Sequence, residues 1–268
     1  MHFYPALPRN HLVAAHRGYR SIRPENTLAA FAAAMGRFDF IELDIQPSRD
    51  GVLMVFHDDS LERTTDIHRH TSAPRPHYLG EYDYPFLRTL DAGSWFAEDD
   101  PFGTWTSQGI ALSDIASQAI PTLDEVLALC DQHTMPLNIE IKDSPCTDPE
   151  TLLIDLLKAI APYRDRIPML ISSFNHRYLA RLNELDATLA LAANVEHTHP
   201  PQLLVYLHDL GVCAYHVDAP LIESTPVEAL QTHGIVCGAF TVNDQAVQKA
   251  CHQKGFRAIF SDTLAQTP

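Results

Sequence analysis

No two of the five cysteines in this chain (Cys130, Cys146, Cys213, Cys237 and Cys251) are spaced as CxxC, and their number is odd. Scattered thiols exclude a disulfide framework and a cysteine-built zinc site, and they fit a reducing compartment. Basic residues are also scarce: 19 Lys and Arg face 34 Asp and Glu, a net charge of −15. So acidic a chain repels a nucleic-acid backbone unless a basic cluster overrides the field, and the sequence has none. No apolar run approaches the ~20 residues of a membrane helix. The opening MHFYPALPRNHLVAAHRG lacks the basic start, apolar core and small-residue cleavage site of a signal peptide. Low-complexity tracts and long internal repeats are missing too. These absences point to a soluble, cytoplasmic protein with no nucleic-acid partner and no stable membrane insertion, acting as a monomer or homodimer.

What is present is a regular alternation of short apolar runs and helical patterns, which signals βα units and a parallel sheet. The 268 residues, 46% hydrophobic, suit a single domain over 1–268. Eight strands are expected: Leu12–Ala15, Phe40–Asp44, Leu137–Lys142, Met169–Ser173, Leu189–Ala193, Ala214–Val217, Val236–Thr241 and Ala258–Ser261. Helices are expected over Asn26–Met35, Thr122–Cys130, Pro149–Ile160, Asn175–Glu184, Pro201–Leu210, Pro226–Thr232 and Asn243–His252. Eight such units make a (β/α)8 TIM-type barrel, an α/β fold. A ninth run, Val52–His57, follows the second strand through Ser48-Arg49-Asp50-Gly51, a turn too short for a helix. It therefore reads as an antiparallel excursion. Residues 58–120, rich in Pro, Gly, Asp, Thr and His, read as an insertion after the second strand, over the C-terminal face where barrel sites lie.

Within Ile41-Glu42-Leu43-Asp44-Ile45, Glu42 and Asp44 share one strand face. In Leu137-Asn138-Ile139-Glu140-Ile141-Lys142, Glu140 and Lys142 do the same. Glu42, Asp44 and Glu140 converging from adjacent strands make an oxygen-rich set suited to one divalent cation, Mg²⁺ or Ca²⁺, rather than zinc. The plainer alternative is ordinary ion pairing at the barrel rim. His16-Arg17-Gly18 follows the first strand, and His57-Asp58 closes the excursion. Two histidines beside a metal can accept and donate protons at phosphorus. Arg17 and Lys142 are the candidate phosphate contacts. Glu25 is placed to brace Arg17, Asn26 to cap the first helix and Asn175 a later one. Phe174 is a candidate pocket wall. Among the other histidines, His68, His70, His77, His133, His197, His199 and His233 read as loop or surface residues.

The segments HRGYRSIRPENTLAAF, FIELDIQPSRDGVLMVFHDDSLERTTD, LNIEIK, ISSFN and FTVND, in this order, resemble the glycerophosphodiester phosphodiesterase family, in its short cytoplasmic bacterial form. The resemblance runs from about His16 to Asp262. It implies a (β/α)8 barrel, metal ligands at Glu42, Asp44 and Glu140, catalytic His16 and His57, and phosphate contacts at Arg17 and Lys142. The implied reaction is hydrolysis of a small-molecule glycerophosphodiester to sn-glycerol 3-phosphate and an alcohol. His16 is expected as base and His57 as acid. The family often has Trp where Phe240 stands, so Phe240 keeps an aromatic substrate-binding wall without an indole donor. It also often has Thr-Asp followed shortly by Pro where the last strand here ends Ser261-Asp262-Thr263-Leu264. A lysophospholipase D-type enzyme on the same scaffold is the alternative, with Trp95, Phe96, Phe102 and Trp105 as its apolar groove. A barrel that binds without chemistry is the non-enzymatic rival.

Overall fold

Runs in which successive residues are buried on both faces, inward polar side chains included, mark strands covered on both sides. In the computed structural model, which describes residues 3–143, 146 and 148–264, those runs form β1 (Leu12–Ala15), β2 (Phe40–Pro47), β3 (Leu53–Val55), β4 (Leu137–Ile141), β5 (Met169–Ser173), β6 (Leu191–Val195), β7 (Ala214–Asp218), β8 (Val236–Phe240) and β9 (Ala258–Ser261). Every strand except β3 is parallel to its neighbours, in the order β1-β9-β8-β7-β6-β5-β4-β2. A further β1–β2 pairing closes the ring into an eight-stranded barrel with helices between strands. The expected (β/α)8 fold is therefore the observed one. β3 turns back antiparallel onto β2, with Ile45 opposite Val55.

Three apolar clusters hold the fold. The largest lies between the strands and the surrounding helices and includes Phe31, Ile41, Leu43, Leu127, Leu156, Leu182 and Ile259. A second fills the floor of the barrel, where Phe3, Tyr4, Phe40, Leu170 and Phe260 meet small residues such as Ala192, Ala214 and Ala258. A third joins Met54 and Phe56 to Leu61, Ile67, Leu79, Leu87 and Ile120, and so gives residues 58–120 a core of their own. Local capping defines the helix starts. Thr122 and Glu125 form a capping box at helix Leu123–His133, and Asp148, Asn175 and Asp244 accept backbone N–H groups at three others.

The structure changes some local readings. The helix after β1 is Leu28–Ala34, capped by Thr27 and not by Asn26. Asn26 instead takes a left-handed φ of 54° and turns its amide onto Asp44. His77 is buried rather than superficial, with its ring hydrogen-bonded to the Tyr82 hydroxyl at 2.8 Å. Phe96, which a lipid groove would need at the surface, is fully buried. Residues 58–120 pack against the loop that follows β1: the Thr104 hydroxyl donates to Ser21 O, Phe102 lies under Arg20, and Arg63 reaches Glu25. Among the described residues, no helix is long and apolar enough to cross a membrane.

Candidate active site

The ends of β1, β2 and β4 bring the charged residues together. β2 and β4 pair with Asp44 opposite Glu140 and Glu42 opposite Asn138. Strand alternation then sets Glu42, Asp44 and Glu140 on one inward face. One oxygen from each carboxylate lies within 4.8 Å of the others, and all three are buried or nearly so. The chain leaves β1 through a tight turn in which Arg17 and Gly18 have φ of 56° and 81°. A Cβ on Gly18 would come within 2.7 Å of Ala30, so only glycine fits that approach. The turn aims the Arg17 backbone N–H at Glu42 Oε2, 2.9 Å away.

Three buried carboxylates this close repel one another unless cations intervene. Burial, then the charges of Asp44 and Glu140, push the Glu42 pKa well up. Burial also raises Glu140, against the pull of Lys142. Burial works in the same direction on Asp44, but the positive charge that His57, Lys142 and Arg17 bring, with the Asn26 hydrogen bond, holds it low. Lys142 Nζ lies 2.8 Å from Glu140 and 3.7 Å from Asp44, and Arg17 Nε lies 3.5 Å from Asp44. Two cations among three carboxylates leave negative charge in excess. An all-oxygen donor set with that excess fits a hard divalent cation, and Glu42, Asp44 and Glu140 could hold one.

Each histidine is backed by a carboxylate. His16 Nδ1 lies 2.7 Å from Asp262 Oδ1, and His57 Nδ1 lies 2.6 Å from Asp58 Oδ1. Neither Nε2 makes a hydrogen bond among the described residues, and both rings line one cavity of about 310 Å³. Burial, reinforced by Arg17 and opposed by Asp262, lowers the His16 pKa and so favours the neutral ring. Arg17, Lys142, Phe174 and Phe240 line the same cavity, so all nine expected site residues meet there. The Phe174 and Phe240 rings are edge to face, 5.6 Å apart, and Lys142 Nζ stands 5.8 Å from the Phe174 ring.

Residues 16–266 match the glycerophosphoryl diester phosphodiesterase family. The chain belongs to that family. A glycerophosphodiester phosphodiesterase of Bacillus altitudinis is 31% identical to it over 93% of this chain and 94% of its own length. One from Bacillus subtilis is 29% identical over 95% and 84%. Among solved structures, an Oleispira antarctica phosphodiesterase in complex with the product sn-glycerol-3-phosphate aligns with a TM-score of 0.80 at 28% identity, covering 98% of this chain and 96% of its own.

This family member carries supporting residues that the sequence alone did not single out. Asp262 is held by Asn243, whose Nδ2 donates to Asp262 Oδ2 at 2.8 Å and whose Oδ1 accepts from the Asp262 backbone N–H at 2.8 Å. Arg63 donates to both oxygens of Asp58 (2.9 and 2.6 Å) and both of Glu25 (2.7 and 3.0 Å). Glu25 braces Arg17 at 2.9 Å, as its position in the sequence suggested, and also Arg20 at 2.9 Å. Burial disfavours its charge, but the Arg63 hydrogen bonds and the charges of Arg17, Arg20 and Arg63 hold its pKa well down. Gln46 donates to the carbonyls of Phe56 and Asp58, fixing the returning segment beside β2. The His-Asp dipeptide and the Arg in LERTT were the available signals for Asp58 and Arg63; their pairing was not readable.

Proposed function

We propose that this chain hydrolyses glycerophosphodiesters to sn-glycerol 3-phosphate and an alcohol, with Glu42, Asp44 and Glu140 holding one divalent cation, Mg²⁺ or Ca²⁺. The observation that carries this reading is the convergence of three buried carboxylates and two carboxylate-backed histidines on one cavity. When bound, the cation would supply charge stabilisation at the phosphoryl oxygens. Arg17 and Lys142 orient the phosphate from the same side. His16, neutral and with Nδ1 engaged by Asp262, accepts the proton of the attacking hydroxyl through Nε2. A new P–O bond forms to that oxygen while the bond to the leaving alcohol breaks. His57 donates the proton that the departing oxygen needs, with Asp58 holding the ring through Nδ1. The attacking hydroxyl is that of water, or the glycerol 2-hydroxyl by way of a cyclic phosphate. Phe174 and Phe240 form the wall against the alcohol portion. The described cysteines are all free, and Cys130, Cys237 and Cys251 are buried, which supports a cytoplasmic setting.

A panel of glycerophosphodiesters, assayed for glycerol 3-phosphate with and without chelator, tests the reading. Release from at least one diester, abolished by chelation and restored by Mg²⁺ or Ca²⁺, is expected. Release from none of them, or release indifferent to chelator, would refute it. Trapping of a transient cyclic phosphate would identify the glycerol hydroxyl as the first nucleophile.

A further inference from the structure

Beneath the carboxylates, polar side chains run in single file down the barrel interior. Tyr4 lies on the short helix Phe3–Ala6, packed with Phe3 and Phe40 into the barrel floor. Its hydroxyl is 2.8 Å from His216 Nε2. His216 Nδ1 is 3.1 Å from Asn194 Oδ1, and Asn194 Nδ2 is 3.0 Å from Glu140 Oε2. Tyr4, His216, Asn194 and Glu140 are all buried.

The direction of this file follows from its last member. A carboxylate that holds a cation only accepts hydrogen bonds, so the Asn194 amide turns its NH₂ to Glu140 and its oxygen to His216. His216 must then carry its proton on Nδ1. The lone pair on Nε2 is left to accept from the Tyr4 hydroxyl. Every donor therefore points toward Glu140. The opposite tautomer would turn the amide over and set two oxygens against each other in a buried place, which is costly. Burial pushes the His216 pKa down to about 3, in keeping with a neutral ring. The other Glu140 oxygen, Oε1, is engaged by Lys142.

We infer that Tyr4, His216 and Asn194 are positioning residues, a one-way hydrogen-bond chain that fixes the Glu140 carboxylate in its cation-holding orientation from the floor of the barrel. The inference rests on the divalent-cation reading of Glu42, Asp44 and Glu140. Partners behind a metal-binding carboxylate set its orientation and basicity, and linked hydrogen bonds polarise one another. Tyr4 thereby couples the packing of the N-terminal helix to a site at the opposite end of the strands.

The test uses the whole protein stripped of cations. Nitrogen-15 NMR of the histidines is expected to show His216 neutral with its proton on Nδ1. Calorimetric titration with Ca²⁺ and with Mg²⁺ is expected to show Asn194→Leu and His216→Leu binding about 10- to 100-fold more weakly than wild type, and Tyr4→Phe roughly threefold more weakly. His216→Gln, which offers both an acceptor and a donor, should recover most of the affinity. Should the leucine variants fail to fold, Tyr4→Phe and the His216 tautomer decide. A proton on Nε2 of His216, or wild-type affinity in folded Tyr4→Phe and Asn194→Leu proteins, overturns the chain alone. A wild type that binds neither cation overturns the cation reading and the chain's role with it.

Discussion

Asp262→Asn changes one oxygen to an amide group, yet the surrounding contacts dictate which way that amide must face. Asn243 Oδ1 is committed to the Asp262 backbone N–H and accepts from the Ser261 hydroxyl at 3.0 Å, so its Nδ2 must donate to the side chain at position 262. The new amide oxygen is drawn to that donor. Its NH₂ is then turned to His16 Nδ1, which must accept, and the ring proton moves to Nε2, the nitrogen that faces the cavity. The proposed base is thereby masked. Loss of a charge-assisted hydrogen bond alone is worth about 1.5–3 kcal/mol, or roughly 10- to 150-fold in rate. A forced wrong tautomer adds to this, and in the serine-protease triad the comparable change costs ~10⁴ in kcat. A fall in kcat of about 10²–10⁴ is therefore expected for glycerophosphodiester hydrolysis, measured by glycerol 3-phosphate release at saturating cation. Asp262→Ala leaves the tautomer free, so it should be no more damaging than Asp262→Asn. An Asn variant within a few-fold of wild type, or clearly more active than the Ala variant, would refute the argument that Asp262 sets the His16 tautomer.

Glu42→Gln removes the carboxylate whose burial and like-charged neighbours most oppose ionisation. In thermal melts the cation-free variant should be at least as stable as wild type, while stabilisation by added Ca²⁺ or Mg²⁺ disappears. Arg63→Lys keeps the charge but loses the fork that engages Asp58 and Glu25 at once. A drop in kcat of about tenfold together with a rise in KM is expected, since the effect reaches the substrate through Asp58 and His57 and also through Glu25 and Arg17. His216 takes up a proton more readily when unfolded (6.5) than when folded (about 3), so stability falls as pH drops through 6.5 and this contribution levels off near 3. By pH 5 the total loss from this ring relative to high pH is about 2 kcal/mol, and urea unfolding of His216→Gln should lack that component.

Much of the site was legible because it obeys a short-range rule. Period-two alternation placed Glu42 with Asp44 and Glu140 with Lys142, and the βα order made β2 and β4 neighbours despite some ninety residues of intervening chain. Where a residue had two available jobs, local rules chose the wrong one. Asn26 is a good helix cap, but Thr27 takes that role and Asn26 is held in a left-handed conformation to serve Asp44. Strand ends also shifted where pairing decides them. β2 continues to Pro47 because β3 folds back on it, and β6 starts at Leu191 because its register is set opposite Ile171. Contacts across the barrel were not legible at all. Asp262 meets His16 across 246 positions, and Tyr4 meets His216 across 212. In the sequence, Asn194 and His216 are merely polar residues in apolar strands; only closure of the barrel gives them partners.

The proposed cation site gives so acidic a protein a way to address an anion. Arg17, Arg20, Arg63 and Lys142 are the cations around the cavity, but none of them stands free. Arg20 and Arg63 converge on Glu25, with Arg63 also on Asp58; Arg17 is tied to Glu25 and Asp44, and Lys142 to Glu140. Against these four stand Glu25, Glu42, Asp44, Asp58, Glu140 and Asp262, with Glu196 on the cavity wall. At close range and low dielectric, a site with carboxylates in excess repels a phosphodiester. One divalent cation among Glu42, Asp44 and Glu140 would offset that excess, and the Arg17 and Lys142 donors would then act on the phosphate against a weaker opposing field. On the proposed reading, selectivity for an anion comes from the cation-loaded cluster and not from the molecule's overall charge of −15. The arginines serve chiefly to hold Glu25 and Asp58 rigid, and through them to aim Arg17 and His57.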